Sequence, residues 1–166
     1  MRIGLDVTTA AQVTAAFAKA PEIVLEELET AMGSAVAYLL RETQENTPTA
    51  SGVLRRSFFG RVDVLASLGA VFGTVGSSLA YALPVELGTK PHYPPLAPLI
   101  SWVEQKLGIT GEEAEARALA IQRRIGLVGT PGYGMARFAL LDGRETIQAE
   151  FDDAADRIQA RLGGLV

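Results

Sequence analysis

The sequence predicts an α+β fold: a long N-terminal helix and a C-terminal helix packed on a small antiparallel β-sheet, with a helical insertion. Three observations predict it. Apolar residues recur at helical spacing across residues 21–46 and again near the C-terminus. Residues 57–75 are instead rich in Phe, Val and Gly and alternate in polarity as strands do. A proline-rich stretch at 91–98 then opens onto new helical segments, so residues 91–135 read as an insertion in one domain spanning 1–166. A chain of 166 residues suits one domain better than two.

Residues 9–19 read as a short first helix, capped by Thr8 or Thr9, with Val13 and Phe17 four apart on one face. Pro21 suits the first turn of a second helix, where its missing N–H is not needed. Glu22, Glu26, Glu27 and Glu29 crowd the start of that helix and complement its dipole. Val24, Leu28, Ala31, Ala35 and Tyr38 form its apolar stripe, widened by Leu25, Met32, Val36 and Leu39. It should stop near Asn46, before Pro48, and Gly33 offers a place for another backbone to approach.

Phe58, Val62 and Val64 alternate with Phe59, Arg61 and Asp63, and a turn at 67–69 returns the chain as a second strand. Residues 79–87 read either as a third strand or as a short helical turn, and Pro84 disfavours a central strand. After the proline segment, Leu99, Trp102, Val103, Lys106 and Leu107 fit a helix ending at Gly108. Thr110-Gly111-Glu112-Glu113 reads as a capping box for the next helix, which carries Ala114, Ala118, Ile121 and Ile125 on one face. Residues 126–134 read as a loop. The last helix covers 135–162, with Ile147, Phe151, Ala154, Ile158 and Leu162 inward and a break at Gly143. Leu28, Leu39, Phe58 and Phe151 are the expected core.

Composition narrows the chemistry. Hydrophobic residues make up 48% of the chain and charged residues 20%, which favours a packed core over disorder. With no cysteine, disulfides, thiolate catalysis and cysteine–zinc sites are excluded. The single histidine, His92, leaves no two-His metal site within one chain. The net charge of −4 is the wrong sign for a general nucleic-acid binder. Met1 to Val7 has no apolar run of the leader type. Glycines and Pro84 interrupt the uncharged run at 64–85, so no membrane span is expected.

Local motifs resolve to bland readings. Gly129-Thr130-Pro131-Gly132-Tyr133-Gly134 lacks the Gly-Lys-Ser/Thr ending of a phosphate loop. Asp152, Asp153 and Asp156 lack the glycine and closing glutamate of a calcium loop and read as a solvated helix face. His92 has no identifiable catalytic partner. Arg55, Arg56 and Arg61 form a small basic cluster, and Trp102 and Tyr81 read as core or interface aromatics.

One ordered set of residues is more specific. Pro48-Thr49-Ala50-Ser51-Gly52-Val53-Leu54-Arg55-Arg56-Ser57 follows the long helix. Tyr81-Ala82-Leu83-Pro84-Val85-Glu86-Leu87-Gly88-Thr89 follows the hairpin. Pro91-His92-Tyr93-Pro94-Pro95, Trp102-Val103 with Lys106-Leu107-Gly108, and Gly129-Thr130-Pro131 with Met135 and Phe138 come next. This order, over residues 20–160, resembles the tail-component family of long-tailed bacteriophages, the neck or tail-completion proteins. Pro84 stands where that family often has an aromatic, and Leu87 where Phe is commoner.

The resemblance implies a structural virion protein at the head–tail junction, with no catalytic residue, cofactor or metal. It implies a homo-oligomeric ring, six-fold, that joins the head connector to the tail tube or tail terminator and passes DNA without sequence-specific binding. The expected localisation is the virion, with host cytoplasm during assembly. The subunit or partner interface is expected at Arg55, Arg56, Tyr81, Glu86, Gly88, Thr89, His92, Tyr93 and Pro94. Gly88 suits a positive φ at a sharp turn. Glu86 is read as an acceptor for backbone N–H groups, as a partner for a neighbouring subunit's Arg, or as a surface charge. The stiff segment 91–98 suits a strap across a neighbour. It and the 126–134 loop are expected to order on assembly. The alternative function is a non-enzymatic nucleic-acid-associated or regulatory binding module.

Overall fold

The computed structural model describes residues 7–49 and 51–164, and the side chains from Ala18 onward. The elements in order are α1 (Val7–Glu45), α2 (Val53–Ser57), β1 (Phe58–Leu65), β2 (Ala70–Ser77), α3 (Ala82–Leu87), β3 (Gly88–Thr89), α4 (Leu96–Leu107), α5 (Glu112–Val128), β4 (Thr130–Pro131), α6 (Met135–Asp142) and α7 (Arg144–Gly163). β1 and β2 form one two-stranded antiparallel sheet, and β3 and β4 form another. The fold is α+β, as the sequence predicts. The described residues divide into two compact units. The first holds those up to Arg41, Phe59–Gly76 and those from Leu140 onward; the second holds Glu42–Phe58 and Ser77–Ala139.

α1 is one continuous helix through Pro21, which corrects the expected division into a helix at 9–19 and another from Pro21. A proline removes one i→i−4 bond and disfavours the helix by about 3 kcal/mol. Here alanine is dense on its N-terminal side (Ala10, Ala11, Ala15, Ala16, Ala18 and Ala20), and residues that favour helix continue beyond it. The backbone is thus helical on both sides of the proline. The Thr8 and Thr9 caps and the Val13–Phe17 pair lie outside the described side chains. The C-terminal stop falls as expected: Asn46 N–H bonds to Glu42 C=O at 2.9 Å, and the buried Thr47 hydroxyl donates to Thr43 C=O at 2.6 Å.

In the first unit, α1 lies on the β1–β2 hairpin where the sheet has no side chain. A Cβ at Gly73 would sit 2.6 Å from both Met32 Sδ and a Val36 methyl, and one at Gly60 would sit 2.6 Å from the other Val36 methyl. The two glycines let Met32 and Val36 reach the sheet backbone. Around Gly33, by contrast, space is open, so the close approach expected there does not occur.

α7 runs antiparallel beside α1. Glu27 meets Arg157 and Arg161, while Ala35 and Tyr38 border the same cavity as Ile147 and Glu150. Among the described residues of this unit, the buried apolar ones are Ile23, Ala31, Ala35, Val36 and Ala154. Leu28, Leu39, Phe58 and Phe151, expected as core, are half-buried. The alanines fill the contact between close helices, and the bulkier side chains lie along its edges.

The α1–α7 contact is charged at the C-terminal end of α7. Glu27 accepts from Arg157 Nε at 2.7 Å and from Arg161 at 2.8 Å, and Arg161 also donates to Glu26 at 2.8 Å. The hydrogen bonds from Arg157, then Arg161, hold the Glu27 carboxyl below its usual range against the opposing effect of desolvation. Both guanidinium groups are raised by the same contact.

In the second unit, α4 and α5 pack as a helical hairpin around the buried Val103, Ala114 and Ala118, with Leu96, Leu99, Ile100, Ile109 and Ile121 against them. α4 ends at Gly108 in the left-handed conformation, as expected. It starts at Leu96, so Pro98 lies in its first turn, where a proline is tolerated. The N-cap of α5 is Gly111, without a side-chain cap bond, which corrects the capping box expected from Thr110. Residues 82–87 take the helical alternative, α3, and Gly143 separates α6 from α7.

Two outcomes test this packing. Gly33→Ala should stabilise by about 0.5–1 kcal/mol through helix propensity, while Gly73→Ala should destabilise by about 1–3 kcal/mol by overpacking Met32 and Val36. Denaturant titration of both variants measures the contrast. A carboxylate with a lowered folded pKa stabilises above its unfolded pKa and loses that stabilisation as pH falls through the folded value. Glu27 therefore supports the fold above pH 4.5, its ordinary value, and loses that support progressively below it. Glu27→Gln should melt earlier at neutral pH and show a flatter acid dependence in a calorimetric pH series.

Candidate functional site

The 82–89 and 129–137 segments close on each other in the second unit. β3 and β4 pair antiparallel, Gly88 with Pro131 and Thr89 with Thr130. Gly88 has φ 82°, as the sharp turn required, and Gly129 has φ 73°. A Cβ on Gly88 would strike Thr130 C=O, and one on Gly129 would strike Thr89 C=O, so both positions require glycine for space as well as for φ. The Thr89 and Thr130 hydroxyls lie 2.9 Å apart, and Thr130 N–H donates to Thr89 Oγ1 at 3.2 Å. Tyr133 N–H donates to Val85 C=O at 2.9 Å and Gly134 N–H to Glu86 C=O at 3.0 Å. β4 and these turns correct the reading of 126–134 as a loop. α5 also extends through Val128 into that stretch. Two-residue strands carry no periodicity from which they could be read.

Glu86 completes the closure. Its carboxylate accepts from Ala136 N–H and Arg137 N–H, each at 3.0 Å. The first N–H groups of a helix have no partner inside it, and a negative charge there is favourable. Glu86 thus caps α6 from 50 residues away in sequence. Of its three readings the structure takes the first, acceptance from backbone N–H groups.

His92 Nδ1 lies 3.0 Å from Lys90 C=O and 3.3 Å from Thr89 Oγ1. His92 N–H bonds to Ile125 C=O at 3.3 Å, and Gln122 donates to Pro94 C=O at 2.7 Å. The Tyr93 ring lies on the bare backbone of Gly126, with its other side exposed. Residues 92–94 are therefore strapped to α5 of their own chain. Arg55 and Arg56 stand exposed in the last turn of α2, where Arg56 reaches back to Ser51 C=O at 3.4 Å.

Tyr81 faces a cavity of about 570 Å³ that it shares with Pro48, Leu54, Trp102, Lys106 and Tyr133. Lys106 Nζ donates to Thr49 C=O at the rim of that cavity. A second cavity of about 550 Å³ shares the Trp102–Tyr133 wall and continues along Leu99, Ile125 and Val128. Tyr133 is not among the site residues the sequence suggests; its bond to Val85, next to the β3–β4 pairing, brings it to the cavity that Trp102 also lines.

Among the described residues, no group of three or more His, Asp or Glu side chains could hold a metal ion, and no helix is long and apolar enough to cross a membrane. Comparison with protein-family models, curated proteins and solved structures finds nothing that matches this chain.

Glu86→Ala should leave two N–H groups of α6 without their acceptor and destabilise the protein by about 1–3 kcal/mol. Glu86→Gln, which keeps a carbonyl acceptor, should fall between. Thermal melts read the order wild type, Gln, Ala; equal melts for all three would show that the cap contributes nothing.

Proposed function

We propose that this chain is a structural protein of the bacteriophage head–tail junction, one subunit of a closed ring that completes the tail or joins it to the head connector. One observation carries the reading. Residues from separate elements of the phage-like pattern, Pro48 to Leu54, Tyr81 and Val85, and Trp102 and Lys106, border a single cavity, together with Tyr133 from the Gly-Thr-Pro region. A pattern spread over the chain thus corresponds to one spatial constellation. Convergence of this kind is what a shared interaction surface needs.

Exposed apolar residues supply a second line of support. Leu83, Leu87, Tyr93, Leu127, Leu140 and Leu141 are each more than half exposed in the single chain. Leu83 and Leu87 lie four apart on one face of α3, and Leu140 and Leu141 are adjacent in sequence; exposed apolar patches mark interaction sites. A ring uses heterologous contacts that close by rotation, so two different faces of each subunit are covered. The net charge of −4 suits a channel wall that lets DNA pass without retaining its phosphates.

Deleting the gene from the phage or prophage that encodes it should leave DNA-filled heads and finished tails unjoined in electron micrographs. Complementation should restore whole particles containing the chain. Normal particles lacking the chain would contradict the proposal.

A further inference from the structure

β1 and β2 form a sheet of two strands, each of eight residues, so each strand is paired on one side only. α1 covers one face of this hairpin through Gly60 and Gly73. Side chains alternate along a strand, so Phe59, Arg61, Phe72 and Thr74 point to the other face, and all four are exposed. Gly60 and Gly73 are exposed as well. A glycine has no side chain to expose, so at these two points the main chain of each strand is itself open to water.

Among the described residues, no backbone hydrogen bond reaches β1 or β2 from another element. A bare strand edge is a template for a further strand, and chains that remain monomeric blunt such edges with proline, lysine or other charges. Residues 58–77 contain no proline and no lysine. Their two charges, Arg61 and Asp63, are paired with each other at 2.8 Å. β3 and β4, of two residues each, offer no comparable edge.

We infer that the β1–β2 hairpin is the docking edge for a second copy of this chain, the free edge of β2 in one copy pairing with the free edge of β1 in the next. The chemistry sets the kind of occupant: a row of unpaired N–H and C=O groups is met by an extended strand. A second copy brings a bare strand of the same eight-residue length. β1 and β2 run in opposite directions, so β2 beside the next β1 continues the antiparallel order. Each addition uses one edge and leaves another, and closure of the ring alone leaves none. The inference rests on the ring reading and gives it a specific contact.

Neighbouring residues of a strand send their N–H groups to opposite edges. Of Thr74→Pro and Val75→Pro, one therefore removes a bond inside the hairpin and the other a donor on the free edge, where proline is tolerated. The variant that melts closer to the wild type should self-associate at least about tenfold more weakly. Disulfide trapping, in a chain without cysteine, decides the matter if both variants unfold. Thr74→Cys copies are mixed with Phe59→Cys, Arg61→Cys or Asp63→Cys copies and oxidised, the three positions covering the registers that keep one face outward. One of the mixtures should give a covalent dimer well above either variant alone. A wild-type oligomer for which no mixture does so, or which the better-folded proline variant still forms, would overturn this contact and leave the ring reading standing. Dimers from Thr74→Cys alone at that level would overturn the β2-to-β1 order in favour of a two-fold pair. A wild-type chain that stays monomeric at every concentration would overturn both the contact and the ring.

Discussion

Small residues at the packing contacts govern this structure. Ala31, Ala35, Ala114, Ala118, Ala139 and Ala154 are almost wholly buried, and among the described residues the largest fully buried side chains are Met135, Val103 and Thr43. Helices that meet through alanine lie close, and a sheet that meets a helix through Gly60 and Gly73 does the same. Each such contact buries little apolar area, and hydrophobic stabilisation scales with area, at roughly 25 cal/mol per Å². The bulky apolar residues are thereby left at the edges and outside. Phe59, Leu68, Phe72, Tyr93, Trp102 and Leu127 are all exposed by 43% or more.

Where apolar area is scarce, polar contacts hold the elements in register. In the first unit, Glu27 between Arg157 and Arg161 sets how α7 lies along α1. In the second, Glu86 caps α6 while Gly88 and Gly129 bring β3 and β4 together. Both devices join segments distant in sequence, and both place a carboxylate on several N–H donors, which strengthens hydrogen bonds relative to neutral pairs. Proposed assembly would then cover the exposed aromatic and leucine side chains, adding between subunits the apolar burial that each subunit lacks.

Local signals in the sequence revealed most of the elements. The stripe of α1 from Val24 to Tyr38, the hairpin, the Gly108 stop of α4, the inward Ala114 and Ala118 and the break at Gly143 all follow from spacing and turn chemistry. What was not legible depends on tertiary contact. Pro21 reads as a boundary because proline usually is one, yet α1 continues through it. Leu39 and Phe151 read as core because they are large, whereas the helix contact is built on alanine. The β3–β4 pairing joins two-residue segments that carry no period, and the cap on α6 comes from Glu86, far outside the window in which caps are sought. Of the expected interface residues, Tyr81 lines the first cavity, while Glu86, Gly88, Thr89, His92 and Pro94 hold the chain's own fold.

The central claim is that the apolar surface left uncovered by this small-residue packing is covered by further copies of the chain. Native mass spectrometry of the purified wild-type protein tests it most directly. The account predicts one dominant species whose mass is a fixed integer multiple of the subunit and does not grow with concentration, as closure requires. A monomer persisting to the highest soluble concentration would contradict it.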